Sequence, residues 1–302
     1  MLSFLPGTLR GVIIVLVVIL NTAFCSPFLI TTALLKLISP IPALTGLLTK
    51  LAIQIATFWV GINSFMFDLF LKIEWHVTGI EGLSKDEWYL VNCNHQSWAD
   101  IPVVQKVFNR KTPMLKFFLK QELIWVPLLG LCWWALDFPF MKRSTPEQIK
   151  KNPSLAGKDL EVTRQACEKF KYTPVSVFNF MEGTRLTPEK HAKQGSSFDN
   201  LLKPKAGGAA FVLGSMGDMM KTMLDVTILY PNSRTNIWDM LCGKVGTVVV
   251  DVRKVEIPEE FLGKDYTSDT EFKAAFQSWV TDLWVAKDKH IAELKLKYES
   301  KP

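Results

Sequence analysis

"WYLVNCNHQSWAD", residues 88–100, joins an apolar, β-rich run to a polar stretch that leads into a helical pattern. The order strand, polar turn, helix is that of an α/β unit, in which the ends of strands usually present the chemistry. His95 and Asp100 stand five residues apart in this turn. With four histidines and 14 aspartates in 302 residues, chance supplies such a pair about one time in five, so the spacing alone decides little.

Two readings of Asp100 stand side by side. Pro102 removes a needed N–H if Ser97 is the helix cap, so the helix is expected to start with Asp100 as N-cap and Pro102 in its first turn. Alternatively, one carboxylate oxygen caps while the other accepts the His95 ring N–H, which fixes the tautomer and frees the other nitrogen as a general base. Ser97, two residues from His95, is badly placed as a nucleophile, so the base is expected to activate a hydroxyl of the substrate itself.

A second polar turn follows another β-rich run in "FNFMEGTRLTPEKH", residues 178–191. Gly183 can adopt φ > 0 in Glu182-Gly183-Thr184-Arg185, and Arg185 can offer its planar fork to a phosphate. An ordinary turn with a salt-bridged arginine is the plainer reading. A third stretch, "FLKQELIWVPLLGLCWWALDFPFMKR" at 118–143, is apolar and Trp-rich between Lys120 and Lys142-Arg143, which suits a lipid with an anionic headgroup or a buried segment with charged ends.

The net charge of +6 is concentrated in residues 142–205, which carry 13 basic and 7 acidic side chains. Such a segment fits a phosphate-bearing ligand, an anionic membrane surface or simply a solvated face. No helix-turn-helix, finger or RNA-binding pattern accompanies it, so nucleic acid is not an expected partner. The five cysteines are scattered without a CxxC pair, which points to a reduced compartment and no metal site.

From residue 11 to 38 the only charge is Lys36, and the run is long enough to cross a bilayer. It continues too far for an ordinary cleaved signal. Pro27 is expected to kink or break it, giving either one span or two short re-entrant helices. Residues 44–73 mix apolar and aromatic residues with Lys50, Gln54, Asn63 and Asp68, a pattern expected of an interfacial helix. Beyond about residue 72, strands are expected at 73–77, 88–93, 174–180, 224–230 and 247–255. Helices are expected at 102–108, 158–172, 208–216 and 270–298. The last carries Phe272, Ala275, Phe276, Trp279, Leu283 and Trp284 on one face, a core stripe.

Together these stretches resemble the 1-acylglycerol-3-phosphate (lysophosphatidate) acyltransferase family, in the branch with lysocardiolipin acyltransferases and bacterial relatives. Its NHxSxxD motif is matched by Asn94, His95, Ser97 and Asp100, and its FxEGTR motif by Phe180, Glu182, Gly183, Thr184 and Arg185. Lys120, Pro127, Gly130 and Arg143 resemble its Lys-to-Pro-Gly stretch, and residues 228–231, ending at Pro231, its apolar run closing on proline. "LDFPFMKR" departs from the pattern in lacking the glycine that many members have before this strand.

The pattern of elements places a membrane anchor at 1–72 and an α/β domain at 73–302, and the resemblance implies for the latter a catalytic domain with a mixed sheet flanked by helices. It implies His95 as base and Asp100 as its orienting partner, with Asn94, Ser97, Lys120, Arg143, Glu182, Gly183, Thr184, Arg185 and Pro231 at the substrate. It further implies a lysophospholipid acceptor, acyl-CoA or acyl-carrier protein as donor, contact with membrane lipids, and neither cofactor nor metal. A membrane-anchored hydrolase using the same residues is the alternative, though no GxSxG is present. The expected location is a bacterial inner membrane with the catalytic domain on the cytoplasmic face.

Overall fold

The structure is a computed structural model, and it describes residues 2–142, 158–231, 236–264, 266 and 269–299. Every residue of β2 (Tyr89–Cys93) is buried, as expected of a strand covered by helices on both sides. It lies inside a six-stranded sheet of order β1-β8-β7-β2-β6-β3. The other strands are β1 (Glu74–Thr78), β3 (Leu115–Phe117), β6 (Ser176–Phe180), β7 (Thr222–Leu229) and β8 (Thr247–Glu256). All neighbours run parallel except β7 and β8. A separate pair, β4 (Leu119–Lys120) and β5 (Phe140–Met141), flanks a short helix, α4 (Leu129–Ala135).

Helices cover both faces. α3 (Asp100–Phe108) packs Val103, Val104 and Phe108 against Val91, Phe178, Leu224 and Val226. On the other face α5 (Lys158–Phe170), α7 (Gly207–Met216) and α9 (Thr270–Glu299) enclose Leu90, Val177 and Met223. Two further short helices, α6 (Pro188–Gln194) and α8 (Ile237–Leu241), lie in connections. The expected mixed sheet flanked by helices is thus observed.

The first 70 residues form a helical hairpin of α1 (Gly7–Ile38) and α2 (Pro42–Phe70). Of the two expected alternatives the continuous one is observed, with α1 running through Pro27. Its missing N–H leaves the Ala23 carbonyl without a helical donor, and the Ser26 hydroxyl donates to that oxygen at 3.3 Å. α2 is also continuous, and both helices are long and apolar enough to cross a membrane by length and composition. A polar clasp joins them: the Asn21 amide donates to Asn63 Oδ1 and the Trp59 carbonyl, and the Trp59 indole donates to Thr22.

The hairpin is fastened to the α/β part at several points. Near the start of α1, Gly11 lies against Cys242 and Trp238. Near its end, Lys36 pairs with Asp137, and Leu29 and Ala33 pack with Cys132 and Ala135 of α4. α2 is held through Asp68 to Lys106 and through its Thr57 carbonyl to the Asn109 amide.

Candidate active site

Three neighbouring parallel strands, β6, β2 and β7, deliver their C-terminal ends to one edge of the sheet, with Cys93 in register with Phe180 and Val226. The chain leaves β2 as Asn94-His95, β6 as Met181-Glu182-Gly183, and β7 as Tyr230-Pro231. Topology alone therefore gathers the polar turns that lie far apart in sequence.

His95 Nδ1 lies 2.8 Å from Asp100 Oδ2, and its ring stacks on Phe180 at 3.8 Å between centroids. Asp100 is fully buried. Its Oδ2 also accepts the backbone N–H groups of Gln96 and Ser97 at 2.7 and 2.9 Å, and its Oδ1 accepts the Tyr230 hydroxyl at 2.8 Å. A carboxylate with this many donors acts as an acceptor only, so Nδ1 carries the ring proton and Nε2 is left with a lone pair.

The expected N-cap is corrected here. Asp100 is the first residue of α3 rather than its cap, and its oxygens serve the turn before the helix and His95, leaving none for the helical N–H groups beyond. Burial raises the Tyr230 hydroxyl well above its ordinary range, aided by the adjacent Asp100 charge, so it stays a donor.

Three residues expected at the substrate are occupied within the protein. Asn94, fully buried, exchanges two hydrogen bonds with the Ile228 backbone at 2.8 and 2.9 Å, locking the end of β2 to β7. Ser97, also buried, accepts the Ala99 N–H, and no hydrogen bond among the described residues joins it to the His95 ring. That geometry does not prepare it as a nucleophile. Glu182, 1% exposed, accepts the His95 N–H at 2.8 Å and the Leu202 N–H at 3.0 Å. It ties together the segments after β2 and β6 and the segment before α7, whereas a carboxylate facing the ligand would repel a phosphate.

Burial pushes Glu182 up to about 7 from its ordinary 4.5, against the pull of those two N–H groups and of Lys287. Between these values the folded protein holds a proton that the unfolded chain has released, so stability should fall as pH rises through that window. Melting temperatures across it should show the decline, and Glu182→Gln, which does not titrate, should flatten that part of the slope. An unchanged slope would show that Glu182 is ionised throughout.

The exposed wall of the site is cationic. Gly183 has φ +68°, a left-handed conformation that favours glycine, and a Cβ there would sit 3.1 Å from the Lys205 side chain. Lys205 thus lies across the turn. The Arg185 guanidinium stacks over the Trp98 ring at 4.5 Å, so the second turn is braced on the first. Lys190 donates to Thr184 Oγ1 at 2.7 Å and to the Arg185 carbonyl.

Lys120 is exposed on β4, without a hydrogen bond or ion pair to this group among the described residues, and Arg143 lies outside them. Pro231 is buried and directly follows Tyr230. Trp98 had no part in the sequence reading, whereas Tyr230 stood only inside the apolar run 228–231 and Lys205 only at the end of the basic segment 142–205. The "LYP" sequence at the end of β7 marks Tyr230 only once β7 is placed beside β2. Among the described residues, no group of three or more His, Cys, Asp or Glu side chains could hold a metal.

The family model described as Acyltransferase matches residues 74–229, from the first residue of β1 to the last of β7. The bovine (Bos taurus) protein 1-acyl-sn-glycerol-3-phosphate acyltransferase delta is 28% identical over 185 residues, covering 57% of this chain and 43% of its own. Its human (Homo sapiens) counterpart is 28% identical over 182 residues with the same coverage. The match therefore spans less than half the length of these relatives. Among solved structures, the 1-acyl-sn-glycerophosphate acyltransferase PlsC from Thermotoga maritima aligns with 89% of this chain and 95% of its own, at 19% identity and a TM-score of 0.48. With the family match covering just over half of its residues, this chain belongs to the acyltransferase family.

Proposed function

We propose that the protein transfers a fatty acyl group from acyl-CoA or acyl-carrier protein to the free hydroxyl of a lysophospholipid, foremost 1-acylglycerol 3-phosphate, giving phosphatidic acid. The observation that carries this reading is the His95 ring, oriented by Asp100 with Nε2 unused, beside a turn bearing Arg185 and Lys205. Nε2 takes the proton of the acceptor hydroxyl as its oxygen attacks the thioester carbonyl. The tetrahedral adduct then expels the thiolate, which recovers that proton from the imidazolium. Arg185 and Lys205 supply the positive charge for a phosphate, Arg185 with its fork already aligned on Trp98. Other anionic lysophospholipids, lysocardiolipin and lysophosphatidylglycerol among them, carry the same recognition element.

The hairpin at residues 1–72 serves as anchor and residues 73–302 as catalytic domain. Because both ends of α1 touch the α/β part, the hairpin lies along that part and is read as embedded in the adjoining leaflet. All five cysteines are free and buried, which supports placing the domain on the reduced, cytoplasmic side.

The test supplies acyl-CoA to the full-length protein and follows thiol release with and without lysophosphatidate. Release should require the acceptor; acceptor-independent release would make the protein a hydrolase. Arg185→Ala should raise the acceptor KM about tenfold or more, as expected for a lost charge-assisted contact of roughly 1.5–3 kcal/mol. An unchanged KM removes Arg185 from phosphate binding.

A further inference from the structure

A cavity of about 430 Å³ lies at the opposite end of the sheet from His95, between α2, the end of α3 and the chain entering β3 and β6. β2 alone, five residues long, separates the two ends by about 16 Å. Apolar side chains line its interior, including Ile53, Phe108, Leu115 and Phe138. Three cations from separate segments line it as well: Lys50 from α2, Lys85 from the segment before β2, and Arg110 from the turn after α3. Among the described residues, Asp86 is the only carboxylate in the lining.

None of the three cations has a hydrogen-bond or ion-pair partner among the described residues. Arg110 is moreover held at φ +64°, a conformation uncommon for a residue with a side chain.

The two faces of α2 indicate where an occupant comes from. Lys50, Gln54 and Thr57 line the cavity together with Ile53, Ala56 and Val60 of the same helix. Leu44, Leu51, Phe58 and Phe65, spaced by seven, are 41–56% exposed on another face. With that stripe read as lipid-facing, Lys50 marks the level of the headgroups. The mouth of the cavity is then level with the headgroups.

We propose that this cavity is a second lipid site, which takes the phosphate headgroup of an anionic phospholipid of the host membrane and is separate from the acceptor site at His95. The proposal rests on the reading of the hairpin as the membrane anchor. Three cations against one carboxylate leave the described lining with net positive charge, and the apolar interior matches the glycerol and upper acyl segments. The lipid bound there ties the foot of the α/β part to a negatively charged surface and couples docking to membrane composition.

The experiment measures co-sedimentation of the full-length protein with vesicles of phosphatidylcholine alone and of phosphatidylcholine mixed with phosphatidylglycerol. The triple variant Lys50→Gln/Lys85→Gln/Arg110→Gln should lose roughly 10²-fold in affinity for the anionic vesicles, at about fivefold per basic group, and little for the neutral ones. A control that removes equal charge from exposed lysines of α9, Lys273→Gln/Lys289→Gln/Lys297→Gln, should stay near wild type. The charge-retaining Lys50→Arg/Lys85→Arg/Arg110→Lys should bind as wild type does, which separates lost charge from misfolding.

Equal losses in the cavity triple and the control would overturn the proposal in favour of diffuse surface attraction. Displacement from the vesicles by inorganic phosphate would reassign the cavity to a free anion. Acyl transfer to detergent-dispersed lysophosphatidate should be unchanged in the cavity triple. If wild type shows no acyl transfer at all, the proposed reaction fails while the vesicle measurement still decides the site.

Discussion

Replacing His95 by alanine should lower the acyl-transfer rate by about 10²–10⁴-fold, the usual range for a positioned acid–base group. The expectation follows from geometry: Nδ1 is committed to Asp100 at 2.8 Å, and the ring is fixed face-on to Phe180, so Nε2 points with little freedom. The cost to stability should be small, about 1 kcal/mol for the lost stacking, because the β2 turn is held by backbone bonds that alanine keeps. These are the His95 N–H to Glu182 and the Leu186 N–H to the His95 carbonyl. Asp100→Asn is the companion variant. The retained oxygen can still accept from Gln96, Ser97 and His95, while the new NH₂ faces Tyr230, whose hydroxyl can turn to accept it. Folding should persist and the rate should fall, because the imidazolium loses its counter-charge. Equal turnover in wild type and His95→Ala, measured as acceptor-dependent thiol release, would remove His95 from the chemistry.

Much of the fold could be read from periodicity because its longer elements bury a continuous face. β2, β6, β7 and β8 are apolar runs bounded by turns, and α9 repeats its buried residues every three or four positions. β3, β4, β5, α4 and α8 are two to seven residues long and too short to show a period. Whether α1 was one helix or two stayed open, because local propensity counts the N–H that Pro27 lacks and misses the hydroxyl one residue earlier that satisfies the same carbonyl. At the candidate site, the juxtaposition of His95 with Asp100 was legible from residue type and motif. The inward orientation of Asn94 and Glu182 was not, since a one-dimensional motif cannot distinguish a polar group facing a ligand from one bonded to a neighbouring strand. Tyr230 was hidden for the same reason: its partner is 130 residues away, and only the β2–β7 pairing brings them together.

Lys287→Met should destabilise the protein by about 3–5 kcal/mol, the cost of stranding a buried charge. The core stripe read from the sequence passed over this lysine, yet it continues the buried face of α9 between Trp284 and Ile291. Lys287 is fully buried; its ammonium lies 2.8 Å from Asp225 Oδ1 and donates to the Val226 carbonyl at 2.6 Å. Asp225, equally buried on β7, also pairs with Arg253 of β8, its neighbour in register. Methionine fills most of the volume, so the loss reads charge rather than cavity. Asp225 would be left with Arg253 alone, whose side chain is 36% exposed and therefore screened by water. Chemical denaturation of the detergent-solubilised protein gives the number, and the double variant Lys287→Met/Asp225→Asn distinguishes the cause. If stranded charge dominates, removing both partners should restore much of the stability; if the single variant costs under about 1 kcal/mol, the pair is not what holds α9 to the sheet. Because β7 continues into Tyr230, which holds Asp100, α9 also supports the active site from behind the sheet. Loss of Lys287 should therefore lower activity in proportion to the fraction of protein unfolded, with the acceptor KM of the folded fraction unchanged.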